Sequence, residues 1–97
     1  MTTLKPWDAA EYLTTEEDIV AYLDAVLEEG DARLFAAALG DVARARGMTD
    51  VAREAGLGRE ALYKALSDKG NPELATVLKV MRALGLTLRA EASERVA

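Results

Sequence analysis

Apolar residues along this 97-residue chain recur every three to four positions in several separate runs, and every second position in one short run near the end. In TTEEDIVAYLDAVLEEG, Ile19, Tyr22, Leu23, Val26 and Leu27 mark one face of a helix. Thr14 or Thr15 is placed to cap it, with Glu17 or Asp18 three residues on as in a capping box, and Gly30 is placed to end it. In DARLFAAALGDVARARG, Asp31 is the expected N-cap, and Leu34, Phe35, Ala38, Leu39 and Val42 form the apolar stripe. Gly40 sits inside this second helix at a cost of about 1 kcal/mol relative to Ala, which points to close approach by another backbone. Arg44 and Arg46 enrich its last turn, and Gly47 stops it.

The next stretch, MTDVAREAGLGREALYKAL, reads as two short helices joined by a tight turn. Ala52 supplies a small contact where the helices cross and Gly56 the turn, with Val51, Leu57, Leu62 and Leu66 as apolar anchors. Ala52, Gly56 and Leu62 stand at helix-turn-helix spacing, and the second helix is expected over residues 59–66. In NPELATVLKVMRALG, Asn71 is the expected N-cap, Pro72 the first helical residue and Gly85 the left-handed stop. Leu74, Val77, Leu78, Met81 and Leu84 are expected to face inward. LTLRAEA then alternates, with Leu86, Leu88, Ala90 and Ala92 on one side and Thr87, Arg89 and Glu91 on the other. That is the period of a short strand, and a lone strand needs a partner. The opening MTTLKPWDAAEYL shows no long period and reads as a loosely held arm with a short turn over residues 8–12.

Composition agrees with helices and removes most chemistry. The chain is 51% apolar, and 19 of its residues are Ala, the best helix former. It has neither Cys nor His, which excludes disulfides, Cys/His zinc sites, thiol nucleophiles and imidazole acid–base catalysis. No EF-hand spacing, phosphate-cradling Gly-rich loop or nucleophile elbow is present. A non-enzymatic protein without metal or cofactor is therefore expected. The first 30 residues lack a basic start and an apolar run, so no signal peptide is expected, and no window is apolar enough to span a bilayer. A cytoplasmic location is the expectation.

Charge is unevenly placed. Residues 1–31 hold one base, Lys5, and nine acids, a net of −8, whereas the remainder is +3, giving the chain total of −5. Such asymmetry suggests two different partners, the bland alternative being a solvated acidic helix face.

A helix-turn-helix contacts bases mainly from the N-terminal part of its second helix. Here the outward residues are Arg59, Glu60, Tyr63 and Lys64. Arg59 suits guanine O6/N7, Glu60 suits cytosine N4, and Tyr63 and Lys64 suit a thymine methyl or phosphates. Gly58, Arg44, Arg46, Arg53, Lys69 and Asn71 are candidate phosphate contacts, Asn71 through an expected helix start. The competing reading leaves Arg59 and Lys64 solvated and packs Tyr63 on the preceding helix. Residues 33–82 carry nine bases and six acids, a modest footprint for counterion release, so a dimer reading two half-sites is favoured.

From FAAALGDVARARG through LYKALSDKGNPELATVLKVMRALGLTLRAEA, preceded by WDAAEYLTTEEDIVAYLDAVLEEGD, the chain resembles the HigA-like addiction-module antidote proteins, antitoxins of the Xre/λ-repressor-like class. Members usually carry Ser where this chain has Gly58. The resemblance implies an antitoxin of a type II toxin–antitoxin module. Such a protein blocks a small basic toxin of the RelE/HigB-like class and represses its own operon by binding operator DNA.

The expected architecture is mainly α: a λ-repressor-like helix-turn-helix bundle of about five helices with a short C-terminal β-strand. Residues 1–31 form an acidic arm and helix, 32–85 the DNA-binding part, and 86–97 a strand and tail. Trp7, Tyr12, Glu16, Glu17, Asp18, Asp24 and Glu28 are the candidate toxin contacts, with core completion by Trp7 and Tyr12 as the alternative. Leu86, Leu88 and Ala90 are the candidate homodimer strand, with addition to a toxin sheet edge as the competitor. A stand-alone phage-type regulator and a helical interaction module without DNA binding remain alternative functions.

Overall fold

The computed structural model describes residues 12–94. Five helices follow in order: α1 (Glu16–Glu29), α2 (Ala32–Arg46), α3 (Met48–Ala55), α4 (Arg59–Ala65) and α5 (Leu74–Ala83). Trp7 and most of the turn expected over residues 8–12 lie outside the described residues.

The helix boundaries follow from local chemistry. Thr15 caps α1 by accepting from the Asp18 amide, while Glu16, Glu17 and Asp18 complement the positive end of the dipole. Asp31 caps α2 by accepting from the Arg33 and Leu34 amides. Gly56 takes φ 72°, a left-handed conformation that ends α3 and turns the chain toward α4 without Cβ strain.

α3 is the hub, packing on α2, α4 and α5, while α1 lies on α2. Leu39, Val42, Val51, Leu62, Val80 and Leu84 are fully buried at the centre. Small residues let the elements meet closely. A Cβ on Gly40 would collide with the carbonyl oxygen of Leu66 and lie 3.3 Å from its Cβ, so the interior glycine of α2 marks where the end of α4 crosses it. Ala52, Val51, Leu62 and Leu66 are buried and Leu57 is half-buried where α3 and α4 meet.

Three expectations are corrected. α5 begins at Leu74 with Glu73 as its N-cap, not at Pro72 after an Asn71 cap. Glu73 adopts φ −66° and ψ 154°, so the chain is still extended one residue past the proline. The buried face of α5 is Val77, Val80, Met81 and Leu84, whereas Leu74 and Leu78 are 64% and 46% exposed. Apolar residues run almost continuously from 74 to 81, and two overlapping helical stripes fit them. Finally, among the described residues there is no β-strand. Residues 86–93 run without regular structure: Leu86 and Leu88 rest half-buried on the core between exposed Thr87 and Arg89, but Ala90 and Ala92, expected on the side of the leucines, are exposed. The period of two is kept only over residues 86–89, and among the described residues no second strand is present to form a ladder.

Leu27 and Leu34, expected in apolar stripes, are 43% and 44% exposed.

Candidate functional site

α4 begins at Arg59 because Gly58 holds an extended N-cap conformation (φ −71°, ψ 143°) and its carbonyl accepts from the Leu62 amide at 2.9 Å. Gly58 makes no side-chain cap, and open space surrounds the position a Cβ would take. Leu62 and Leu66 anchor the inner side, which turns Arg59, Glu60, Tyr63 and Lys64 outward.

Arg59 and Tyr63 stand one turn apart. The guanidinium carbon lies 5.2 Å from the Tyr63 ring centroid, and Nη2 is 3.5 Å from the Tyr63 hydroxyl. The ring keeps 41% exposure, so Tyr63 serves as a platform for the cation rather than as core. Both residues face a shallow groove of about 320 Å³, shared with Arg44 at the end of α2 and with Met48, Thr49 and Asp50 at the start of α3. The structure thus brings Arg44, Arg59 and Tyr63 together from two helices. Thr49 had no signal in the sequence, because the groove it borders exists only once α3 and α4 cross.

The other cations differ in setting. Arg53 pairs with Asp50 at 2.8 Å, and Arg44 pairs with Asp41. Both pairs have i, i+3 spacing on a helix, a signal present in the sequence. The Asp50–Arg53 pair is exposed and contributes about 0–1 kcal/mol, whereas Asp41 in the other pair is only 21% exposed. Arg46 reaches away to α5 and donates to the Leu84 carbonyl at 3.3 Å, satisfying a helix-end acceptor. Lys69 is exposed in the turn after α4, where its amide donates to the Ser67 hydroxyl. Asn71 is exposed but lies outside α5, whose N-cap residue is Glu73 and makes no side-chain cap.

Asp41 organises a second cluster. One oxygen accepts from the Tyr22 hydroxyl of α1 at 2.8 Å and the other from Arg44. Burial, then the Asp41 hydrogen bond and charge, push the Tyr22 hydroxyl up to about 12, with Arg44 opposing. The contact ties α1 to α2 at a point the sequence did not single out, because its partners are 19 residues apart.

On α1, Glu16, Glu17, Asp18, Asp24 and Glu28 are all exposed, and Tyr12 just before the helix is 60% exposed. Val20 and Leu27 join Asp24 on one outward face, so that face is mixed apolar and acidic. Trp7 lies outside the described residues. Among the described residues, no cluster of acidic side chains is suited to hold a metal ion, and no helix is long and apolar enough to cross a membrane.

A family model described as "Probable addiction module antidote protein" matches residues 3–92 of the chain. A protein of Haemophilus influenzae, described as "Uncharacterized protein", is 54% identical over 90 residues, covering 93% of this chain and 93% of its own length. No solved structure matches the chain.

Proposed function

Because the chain belongs to the family of probable addiction module antidote proteins, we propose that it is the antitoxin of a type II pair with two working faces. One face neutralises a small basic toxin of the RelE/HigB-like class. The other binds operator DNA as a HigA-like, Xre-type repressor of its own operon. The observation that carries this reading is the separation of chemistry onto different helices. The exposed carboxylates of α1 stand apart from the outward Arg59, Tyr63 and Lys64 of α4.

On the DNA side, α4 enters the major groove by its N-terminal end. Arg59 reads a guanine edge and Glu60 a cytosine amine, while Tyr63 steadies Arg59 and touches a thymine methyl or a phosphate. Lys64, Lys69, Arg53, Arg44 and the Gly58 backbone meet phosphates, and Asn71 contributes its side-chain amide. Arg46 keeps its tie to Leu84, with which any phosphate contact must compete. Two copies, joined through residues 86–92, engage two half-sites and offset the modest positive charge of one.

On the toxin side, a basic partner is attracted by the −8 charge of residues 1–31, and Tyr12, Trp7 and the α1 acids make the contact. Co-production with the product of any short neighbouring reading frame that encodes a basic protein tests the reading. Relief of growth arrest and co-purification are the expected results. Persistent arrest with no complex overturns it.

A further inference from the structure

Residues 86–92 form an edge that the described chain does not complete. Leu86 donates its amide to the Met81 carbonyl, but among the described residues the backbone groups of residues 87–92 have no backbone hydrogen-bond partner. The segment begins with strand-like sidedness, Leu86 and Leu88 being half-buried between exposed Thr87 and Arg89, and from Arg89 to Ala92 both sides are left uncovered. Beside it runs a groove of about 480 Å³ whose other wall is α1, where Val20 and Leu27 remain 50% and 43% exposed. An extended edge next to uncovered apolar side chains is what an added strand completes.

The geometry points to a second copy of this chain as that strand, paired antiparallel about a two-fold axis at Ala90. The inference rests on the homodimer proposed above and specifies its register. Directly opposed residues in an antiparallel pair share one face of the sheet. A two-fold pairing that keeps leucines on the inner face must therefore centre on a residue, since centring between two would set Leu88 opposite Arg89. Centring on Arg89 or Glu91 opposes two like charges, which is destabilising. Centring on Leu88 leaves Arg89 opposite Thr87 and runs early into Gly85, whose φ of 75° ends the extended segment. Centring on Ala90 sets Arg89 opposite Glu91 of the partner copy twice, and it places small Ala92 opposite large Leu88. Charge and size complementarity both select this register.

The absence of native cysteine makes the test direct. Sedimentation of the full chain at micromolar concentration should give a dimer. The Ala90→Cys variant, mildly oxidised, should become mostly covalent dimer, because opposed Cα atoms fall within disulfide reach. Leu88→Cys should link little, its copies lying four residues out of register. As a second reading that leaves the core untouched, Arg89→Glu should weaken the dimer roughly tenfold by opposing acids, and Arg89→Glu with Glu91→Arg should restore it. A dimer that links at Leu88 and not at Ala90, or that the double exchange fails to restore, overturns the register but leaves the homodimer standing. A monomeric wild-type chain overturns both.

Discussion

The guanidinium of Arg59 rests over the ring of Tyr63, 5.2 Å from its centroid, on the outward side of α4. The stack holds the arginine in place, with an exposed cation–π contribution of about 0.5–1 kcal/mol. Tyr63→Phe keeps the ring face and should retain most discrimination between operator and single-base variants. Tyr63→Leu should lose several-fold of it, as read by competition binding. Equal behaviour of the two variants would separate the stack from recognition.

The pair Asp50–Arg53 sets a neutral spot beside the same groove. Asp50→Asn should release Arg53 to a phosphate and tighten DNA binding several-fold at low salt. The slope of log K against log salt should steepen by up to about 0.9. An unchanged slope would mean that Arg53 does not meet the backbone.

Gly40 and Gly58 should respond to substitution in opposite directions. At Gly40 a Cβ meets the backbone carbonyl of Leu66, which cannot move like a side-chain tip. Gly40→Ala should cost about 1–3 kcal/mol in denaturant unfolding despite its better helix propensity. At Gly58 the space is open and φ is −71°, so Gly58→Ser should add a cap and about 0.3–1 kcal/mol. Its hydroxyl also adds a phosphate donor at the start of α4.

Tyr22 gives the fold an alkaline signature. Its hydroxyl lies at about 12 in the folded protein against 10.0 ordinarily, chiefly through burial and then through Asp41. The folded state therefore favours the neutral phenol. Its contribution is whole below pH 10 and is lost as pH rises toward about 12. The stability advantage of the wild type over Tyr22→Phe should shrink across that window in denaturant titrations, and a constant difference would contradict the assignment.

Much of this arrangement is legible in the sequence, and the misreadings have specific causes. Thr15, Asp31 and Gly56 act locally, through groups within a few residues, so the starts of α1 and α2 and the turn after α3 could be read from spacing. The interior Gly40 announced a close approach, though not that Leu66 makes it. The phase of α5 is not legible, because Leu74 and Leu78 belong to a nearly continuous apolar run that only the packing on α3 resolves. The alternation of residues 86–92 signalled a strand, but a ladder depends on a partner that no period supplies. The outward face of α4 was legible because Leu62 and Leu66 fix its inner side. The groove with Thr49 and the Tyr22–Asp41 tie were not legible, since both arise from residues brought together by folding.

The proposed division of labour between α1 and α4 predicts separate effects of charge changes. Glu16→Lys with Glu17→Lys should weaken toxin binding by at least tenfold in calorimetry and leave operator affinity little changed at physiological salt. These residues are preferable to Asp24, which borders the groove beside residues 86–91. A loss confined to DNA binding would reverse the assignment of faces.

The central claim, that α4 reads operator DNA, is tested most directly by fluorescence anisotropy on the chain's own upstream promoter, with wild type and Arg59→Ala compared across salt. Wild type should bind specifically and weaken steeply with salt. Arg59→Ala should lose about 1–3 kcal/mol and discriminate less at one base pair, with the salt slope nearly kept. No promoter binding at low salt, or an Arg59→Ala variant that binds and discriminates like wild type, would contradict it.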